Sequence, residues 1–189
     1  MNTPSQKDMN LQTATFAGGC FWCTEAIFKR LKGVTSVMTG FSGGKRENPS
    51  YFQVVTGATG HAESIQVMFD PHVMPYEKLV EIFFGTHNPT TLNQQDYDRG
   101  EEYRSAIFYH DGEQKKTAEK VKEEIEKSGK YKDPIVTEIV PFEAFYPADQ
   151  HHQDFYDRNR NVPYCQIIID PKIKKLLSLY GNDVKEEYK

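Results

Sequence analysis

Cys20 is the residue best placed to do chemistry in this 189-residue chain. It follows Gly18-Gly19 and precedes Phe21 and Trp22, the only tryptophan. An apolar, threonine-rich run from Leu11 to Ala17 reads as a short buried strand. It ends at the two glycines, which permit a sharp turn and a close backbone approach. Beyond Cys20, residues Phe21, Ala26, Ile27 and Leu31 fall on one helical face. Cys20 is therefore expected at a helix N-terminus, where free N–H groups and the positive dipole end favour an anion and lower a thiol pKa. A thiolate beside two large rings suits a nucleophile that meets a small apolar group.

The same residues admit other chemistry. A lone cysteine is commonly a small buried hydrophobe, although that does not explain a strand–Gly-Gly–Cys–helix junction. Cys20-x-x-Cys23 has the spacing of a thioredoxin-like redox pair and of half a zinc site. Zinc needs two more ligands; the third and last cysteine is Cys165, and the six histidines supply no second pair at ligand spacing. A thiol–disulfide oxidoreductase and a zinc-stabilised binding module thus stand beside the nucleophile reading.

The elements around Cys20 follow from periodicity. Val34 to Phe41 is extended, and 42–49 is a loop rich in turn residues. Ser64 to Phe69 alternates as a half-buried strand that stops at Asp70-Pro71. Pro75 to His87 is an amphipathic helix with Leu79, Val80, Ile82, Phe83 and Phe84 on its apolar side. Asn88 to Tyr103 is polar and long for a structureless loop, a feature of functional segments. Ser105 to Tyr109 reads as a strand, Gly112 to Ser128 as a charged helix, Ile135 to Val140 as a strand, and Pro147 to Asn159 as a short helix dense in His, Gln and Asp. The tail carries Cys165, the run Ile167-Ile168-Ile169 and a helix from Ile173 to Tyr180. Strands alternating with helices, plus long decorated loops, indicate an α+β fold: a two-layer sandwich of a mixed β-sheet with flanking helices.

Composition sets further bounds. The length suits one catalytic domain, 11–189, preceded by a polar, disordered arm over 1–10. A charged fraction of 26% with net charge −4 gives no footprint for nucleic acid. No apolar stretch is long enough to span a membrane, and the arm lacks a signal peptide's apolar core. Three cysteines without such a signal point to a reducing, cytoplasmic setting.

At the level of motifs the chain resembles the peptide methionine sulfoxide reductases of the A type. The resemblance rests on Gly19-Cys20-Phe21-Trp22, Gly40-Phe41-Ser42-Gly43-Gly44, Asn48-Pro49-Ser50-Tyr51 and Thr59-Gly60-His61-Ala62-Glu63. It continues through Pro89 to Gln95, Tyr103-Arg104-Ser105-Ala106-Ile107, and Tyr146 to Tyr156 with His151-His152-Gln153. It ends at Tyr164-Cys165.

That resemblance implies a ferredoxin-like core, no cofactor, no metal and a monomer. It implies a substrate, methionine-S-sulfoxide, free or in proteins, and a nucleophile, Cys20, which is left as a sulfenic acid. Phe21 and Trp22 form the wall for the substrate methyl group. Glu63 stands where the family places an acid, and a carboxyl among aromatics has a raised pKa. Tyr51 and Tyr103 correspond to phenols that bond the sulfoxide oxygen, and Asp98 to a carboxylate of the substrate site. Cys165 corresponds to a resolving thiol, with thioredoxin as the external reductant.

Three positions depart from the family pattern. Cys23 replaces the common glycine and offers a second resolving thiol, although Cys20 and Cys23 lie one helical turn apart and can pair only if the helix start distorts. Asn88 replaces an aspartate. Asp96-Tyr97 replaces a Gly-Asn pair before Asp98, which makes that loop's backbone less permissive.

Overall fold

The computed structural model describes residues 10–189; apart from Asn10, the expected arm lies outside the described residues. Strand β1 (Gln12–Gly18) runs into helix α1 (Phe21–Lys29), then come β2 (Val34–Ser42), α2 (Tyr51–Val55), β3 (Ala62–Phe69) and α3 (Tyr76–Thr86). A two-residue hairpin follows, β4 (Gln94–Gln95) and β5 (Asp98–Arg99), and then β6 (Ser105–Tyr109), α4 (Gly112–Lys127), β7 (Glu138–Pro141) and β8 (Phe145–Pro147). Short helix α5 (Phe155–Arg158) and α6 (Asp170–Tyr180) complete the order, with one π-turn over Cys165–Ile169 leading into α6.

The sheet is mixed, as the alternation of elements indicates. Its order is β7-β6-β1-β3-β2-β8, with β6–β7 parallel and the other neighbours antiparallel. Period-2 alternation sends Ala14 and Phe16 of β1, and Ile65, Val67 and Phe69 of β3, into the core shared with the helices. Ala17, Ala62 and Ala106 belong to a small cluster built with Phe108. The Phe16 ring lies 5.2 Å from Phe28 of α1 and 5.1 Å from Phe83 of α3, locking both helices to the strand that delivers Cys20. Such aromatic pairs add about 0.5–1.5 kcal/mol each beyond the area they bury. Among the described residues no helix is long and apolar enough to cross a membrane.

Four segments differ from the sequence expectation. Helix α2 forms where a loop ends, because Ser50 and Gln53 make a reciprocal capping box. Only Glu138–Pro141 of the expected strand pairs with β6; upstream, Val136 N–H instead donates to Pro89 C=O at 2.8 Å. Pro147 to Asn159 is not one helix. Pro147 pairs with Gly40 at the sheet edge, and Asp154 adopts a left-handed φ of 56° that separates a 3₁₀ turn from α5. The polar stretch after Asn88 is also more ordered than a loop, since Gln94–Arg99 closes as the β4–β5 hairpin.

Candidate active site

Two backbone features set Cys20 at its junction. A Cβ at Gly18 would stand 2.9 Å from the Phe83 ring, so glycine lets α3 approach the strand end. Gly19 turns the chain at φ +89°, with the Gln95 side chain packed over it. Cys20 then caps α1 through its own carbonyl, which accepts from Cys23 N–H at 3.1 Å.

The Cys20 thiol contradicts the expectation of a lowered pKa. Burial, with the neighbouring Cys23 adding to it, pushes the thiol well above its ordinary value. The Tyr164 hydroxyl and the Trp22 backbone N–H pull the other way and lose. The magnitudes explain the outcome. A helix end favours a charge by about 0.3–1 kcal/mol, whereas full burial moves a pKa by up to about 3–5 units. At rest Cys20 is a neutral, 7% exposed thiol.

Glu63 is a buried acid, not the strand-edge surface charge that a glutamate commonly is. It faces Phe41 across the β2–β3 ladder and shares the parity of Ile65 and Val67, so the strand aims it at the helix side. There its Oε2 accepts the Phe21 backbone N–H at 2.9 Å. Burial, then the charge of Cys20, pushes its carboxyl well above the ordinary carboxylate range, despite that hydrogen bond. Glu63 is a protonated carboxylic acid at neutral pH.

Tyr51, Tyr103 and Asp98 converge on the same spot. Burial and the Glu63 charge raise the Tyr51 phenol to about 12 and Tyr103 further, so both are O–H donors. Asp98 is raised by burial and accepts the Tyr164 hydroxyl at 2.8 Å. Its placement survives the departure before it. Asp96 adopts φ 53°, a left-handed conformation that aspartate tolerates better than most side chains, and its carboxylate pairs with Lys172 at 2.7 Å. Asn88 Oδ1 accepts both the backbone N–H and the hydroxyl of Thr90, a turn an aspartate could also make.

Aromatic rings wall this acid-lined spot. Phe21 lies 6.2 Å from Tyr51, and His152 stands 4.3 Å from Tyr51 and 5.4 Å from Phe21. Trp22 stacks on Phe155 at 3.7 Å and 8°, and its indole N–H donates to His152 Nδ1 at 3.3 Å. Tyr164 meets the indole edge-on at 5.8 Å. The sequence reading gives no role to His152, Phe155 or Tyr164. Their only signal is local density: a His-Gln-Asp-Phe-Tyr run, and a tyrosine next to a cysteine.

All three cysteines are buried and free. Cys23 Sγ is 3.7 Å from the Tyr164 hydroxyl. Cys165 is fully buried in the π-turn, close enough to Cys20 for that charge to help raise its pKa after burial. Among the described residues no group of three or more His, Cys, Asp and Glu is placed to hold a metal ion. A neutral thiol, a protonated carboxyl and two phenols facing an aromatic wall can hold a polar oxygen and an apolar group at once, and can supply protons to that oxygen.

The family model for peptide methionine sulfoxide reductase matches residues 12–184. The chain belongs to that family. A Sulfolobus acidocaldarius protein named peptide methionine sulfoxide reductase MsrA is 56% identical over 168 residues, 88% of this chain and 94% of its own length. The crystal structure of reduced Mxr1 from Saccharomyces cerevisiae is similar at a TM-score of 0.75 and 34% identity, covering 82% of this chain and 89% of that one. Mxr1 in complex with Trx2 is similar at a TM-score of 0.53 and 26% identity, covering 82% and 90%. Within the reductase family, the convergence of Cys20, Glu63 and the aromatic wall gives the shared sequence blocks a common physical purpose: they meet at one end of α1.

Proposed function

We propose that this chain reduces methionine-S-sulfoxide, free and in proteins, to methionine, with Cys20 as nucleophile. The observation that carries the reading is the buried, protonated Glu63 held to the Phe21 backbone N–H beside the Cys20 thiol. Reduction of a sulfoxide needs a nucleophile at sulfur and a proton at oxygen, and these two groups supply them. The Cys20 sulfur attacks the sulfoxide sulfur while Glu63 delivers its proton to the oxygen, helped by the Tyr51 and Tyr103 hydroxyls. The thiol proton passes to the Glu63 carboxylate. The oxygen ends on Cys20 as a sulfenic acid, and methionine leaves. Phe21 and Trp22 receive the substrate methyl, and Asp98 lines the substrate site. An apolar wall on one side and oxygen donors on the other accept one epimer.

A second thiol then attacks the sulfenic sulfur, water leaves, and a disulfide forms. Cys165 fills this role in preference to Cys23. The disulfide is reduced by exchange with a thioredoxin, for which the yeast Mxr1–Trx2 complex is the support. A single catalytic domain over 11–189 carries the whole cycle, in a cytoplasmic setting where its thiols stay reduced. The order β6-β1-β3-β2, with α1 and α3 as its connections, supports a ferredoxin-like core beneath the site.

The test is turnover of separated methionine sulfoxide epimers with dithiothreitol. The S epimer is consumed and the R epimer is not, and Cys20→Ser consumes neither, even in a single turnover. Equal rates on both epimers, or activity in Cys20→Ser, overturns the reading.

A further inference from the structure

Glu25 has no place in the chemistry above, yet it is a buried carboxylate one helical turn from Trp22 on α1. Its Oε1 accepts the backbone N–H of Asp154 at 2.7 Å, and the Phe155 N–H also points at the carboxylate. Asp154 is the residue that turns left-handed between the 3₁₀ turn and α5, so both amide N–H groups face one acceptor. The next ring, Phe155, is the one that stacks face to face on Trp22 at 3.7 Å. On the other side, Gln153 ties the segment to β2: its amide group accepts from Thr39 N–H and donates to Thr39 C=O, both at 2.9 Å.

We propose that Glu25 is a positioning residue: it grips the 154–155 backbone so that Phe155 braces the Trp22 indole at the angle the substrate methyl requires. This rests on Trp22 being the methyl wall. Stability alone does not account for the carboxylate. Its Oε2 is buried with no hydrogen-bond partner, and an orphaned buried oxygen costs about 1–3 kcal/mol. Burial also pushes the carboxyl up to about 7. An apolar side chain would pack there at less cost but could not hold two N–H groups at a left-handed turn.

The test uses the full chain, with KM, kcat and the emission of its only tryptophan as readouts. Glu25→Ala raises KM for the sulfoxide by about tenfold to a hundredfold, the scale of an ångström's misplacement, and kcat changes by less than about threefold. It shifts Trp22 emission, and so does Phe155→Ala. The double variant is no worse than Phe155→Ala, because the two act through one contact. Glu25→Gln, which keeps the acceptor oxygen, restores KM and emission. Should Glu25→Ala fail to fold, Glu25→Asp, one methylene short, carries the same cycle. Unchanged KM and emission, fully additive losses, or a Gln variant as impaired as Ala overturns the proposal. If Trp22→Ala itself leaves KM unchanged, the methyl-wall reading fails instead, and the emission cycle between Glu25 and Phe155 still decides whether the brace exists.

Discussion

The Phe21 backbone N–H donates to Glu63 Oε2 at 2.9 Å, joining the first helical residue after the nucleophile to a strand residue 42 positions away. The bond spends one free amide of the helix start on a carboxyl that stays protonated. The acid and Cys20 are thereby fixed to the same turn, and any shift of α1 moves both together.

Glu63→Gln keeps the shape and the acceptor but removes the acidic proton. The reduction rate falls by about 10²–10⁴, while a sulfoxide still binds. An unchanged single-turnover rate at neutral pH removes Glu63 from the acid role.

The same substitution has a stability signature of definite sign. The folded-state pKa of Glu63 is raised above its ordinary 4.5, so between these values the folded protein holds a proton that the unfolded chain has lost. Stability is full below about 4.5 and declines as pH rises through that window. Glu63→Gln removes the decline, so its melting temperature gains on the wild type from acid to neutral pH. A constant difference across that range shows that Glu63 is ionised in the folded state.

How far the sequence speaks depends on whether a signal is local. β1, β3, α3 and α4 are legible because each carries its own period, and Cys20 is legible because a strand, two glycines and a helix meet within ten residues. The Ser50–Gln53 capping box is legible in principle, since its spacing alone announces α2. The Cys20 pKa is not, because it depends on burial by elements far along the chain, and burial outweighs the helix end. Asp154 is equally silent: a left-handed aspartate leaves no pattern in the sequence, yet it splits the expected helix. The motif resemblance names Glu63, but only the ladder parity with Ile65 explains why that glutamate points inward.

Trp22→Ala removes the largest face of the aromatic wall and its stack with Phe155. KM rises, and discrimination between S and R sulfoxides weakens, because a pocket distinguishing a methyl from an oxygen gains only about 1–3 kcal/mol from each such contact. Rates on separated epimers are the measurement. An unchanged ratio places selectivity in the phenols.

Tyr164 joins three parts of the site: its hydroxyl donates to Asp98 at 2.8 Å, lies 3.7 Å from Cys23 Sγ, and belongs to the residue before Cys165. Tyr164→Phe leaves Asp98 without that donor, at a cost of about 1–3 kcal/mol. It loosens the hairpin's hold on the Cys165 segment. Hydrogen exchange over 162–169 should rise in this variant, while the first turnover by Cys20 persists. Unaltered exchange shows that the hairpin is held by Asp96–Lys172 instead.

The identity of the resolving thiol is decided by which segment gives way. Cys23 is the nearer in sequence, but its N–H is bonded to the Cys20 carbonyl at 3.1 Å, and a disulfide there must break the turn that presents the nucleophile. Cys165 is fully buried and also has to move, but it sits in a π-turn, where helix geometry is already irregular. Opening that turn leaves α1, Glu63 and the aromatic wall in place. One equivalent of sulfoxide should therefore yield a Cys20–Cys165 disulfide. Cys165→Ser keeps the first turnover and loses most recycling by thioredoxin, and Cys23→Ser loses little. Peptide mapping of the oxidised protein reads the outcome directly: a dominant Cys20–Cys23 crosslink shows that α1 yields first, and a dominant Cys23–Cys165 crosslink shows that the oxidation passes along all three cysteines.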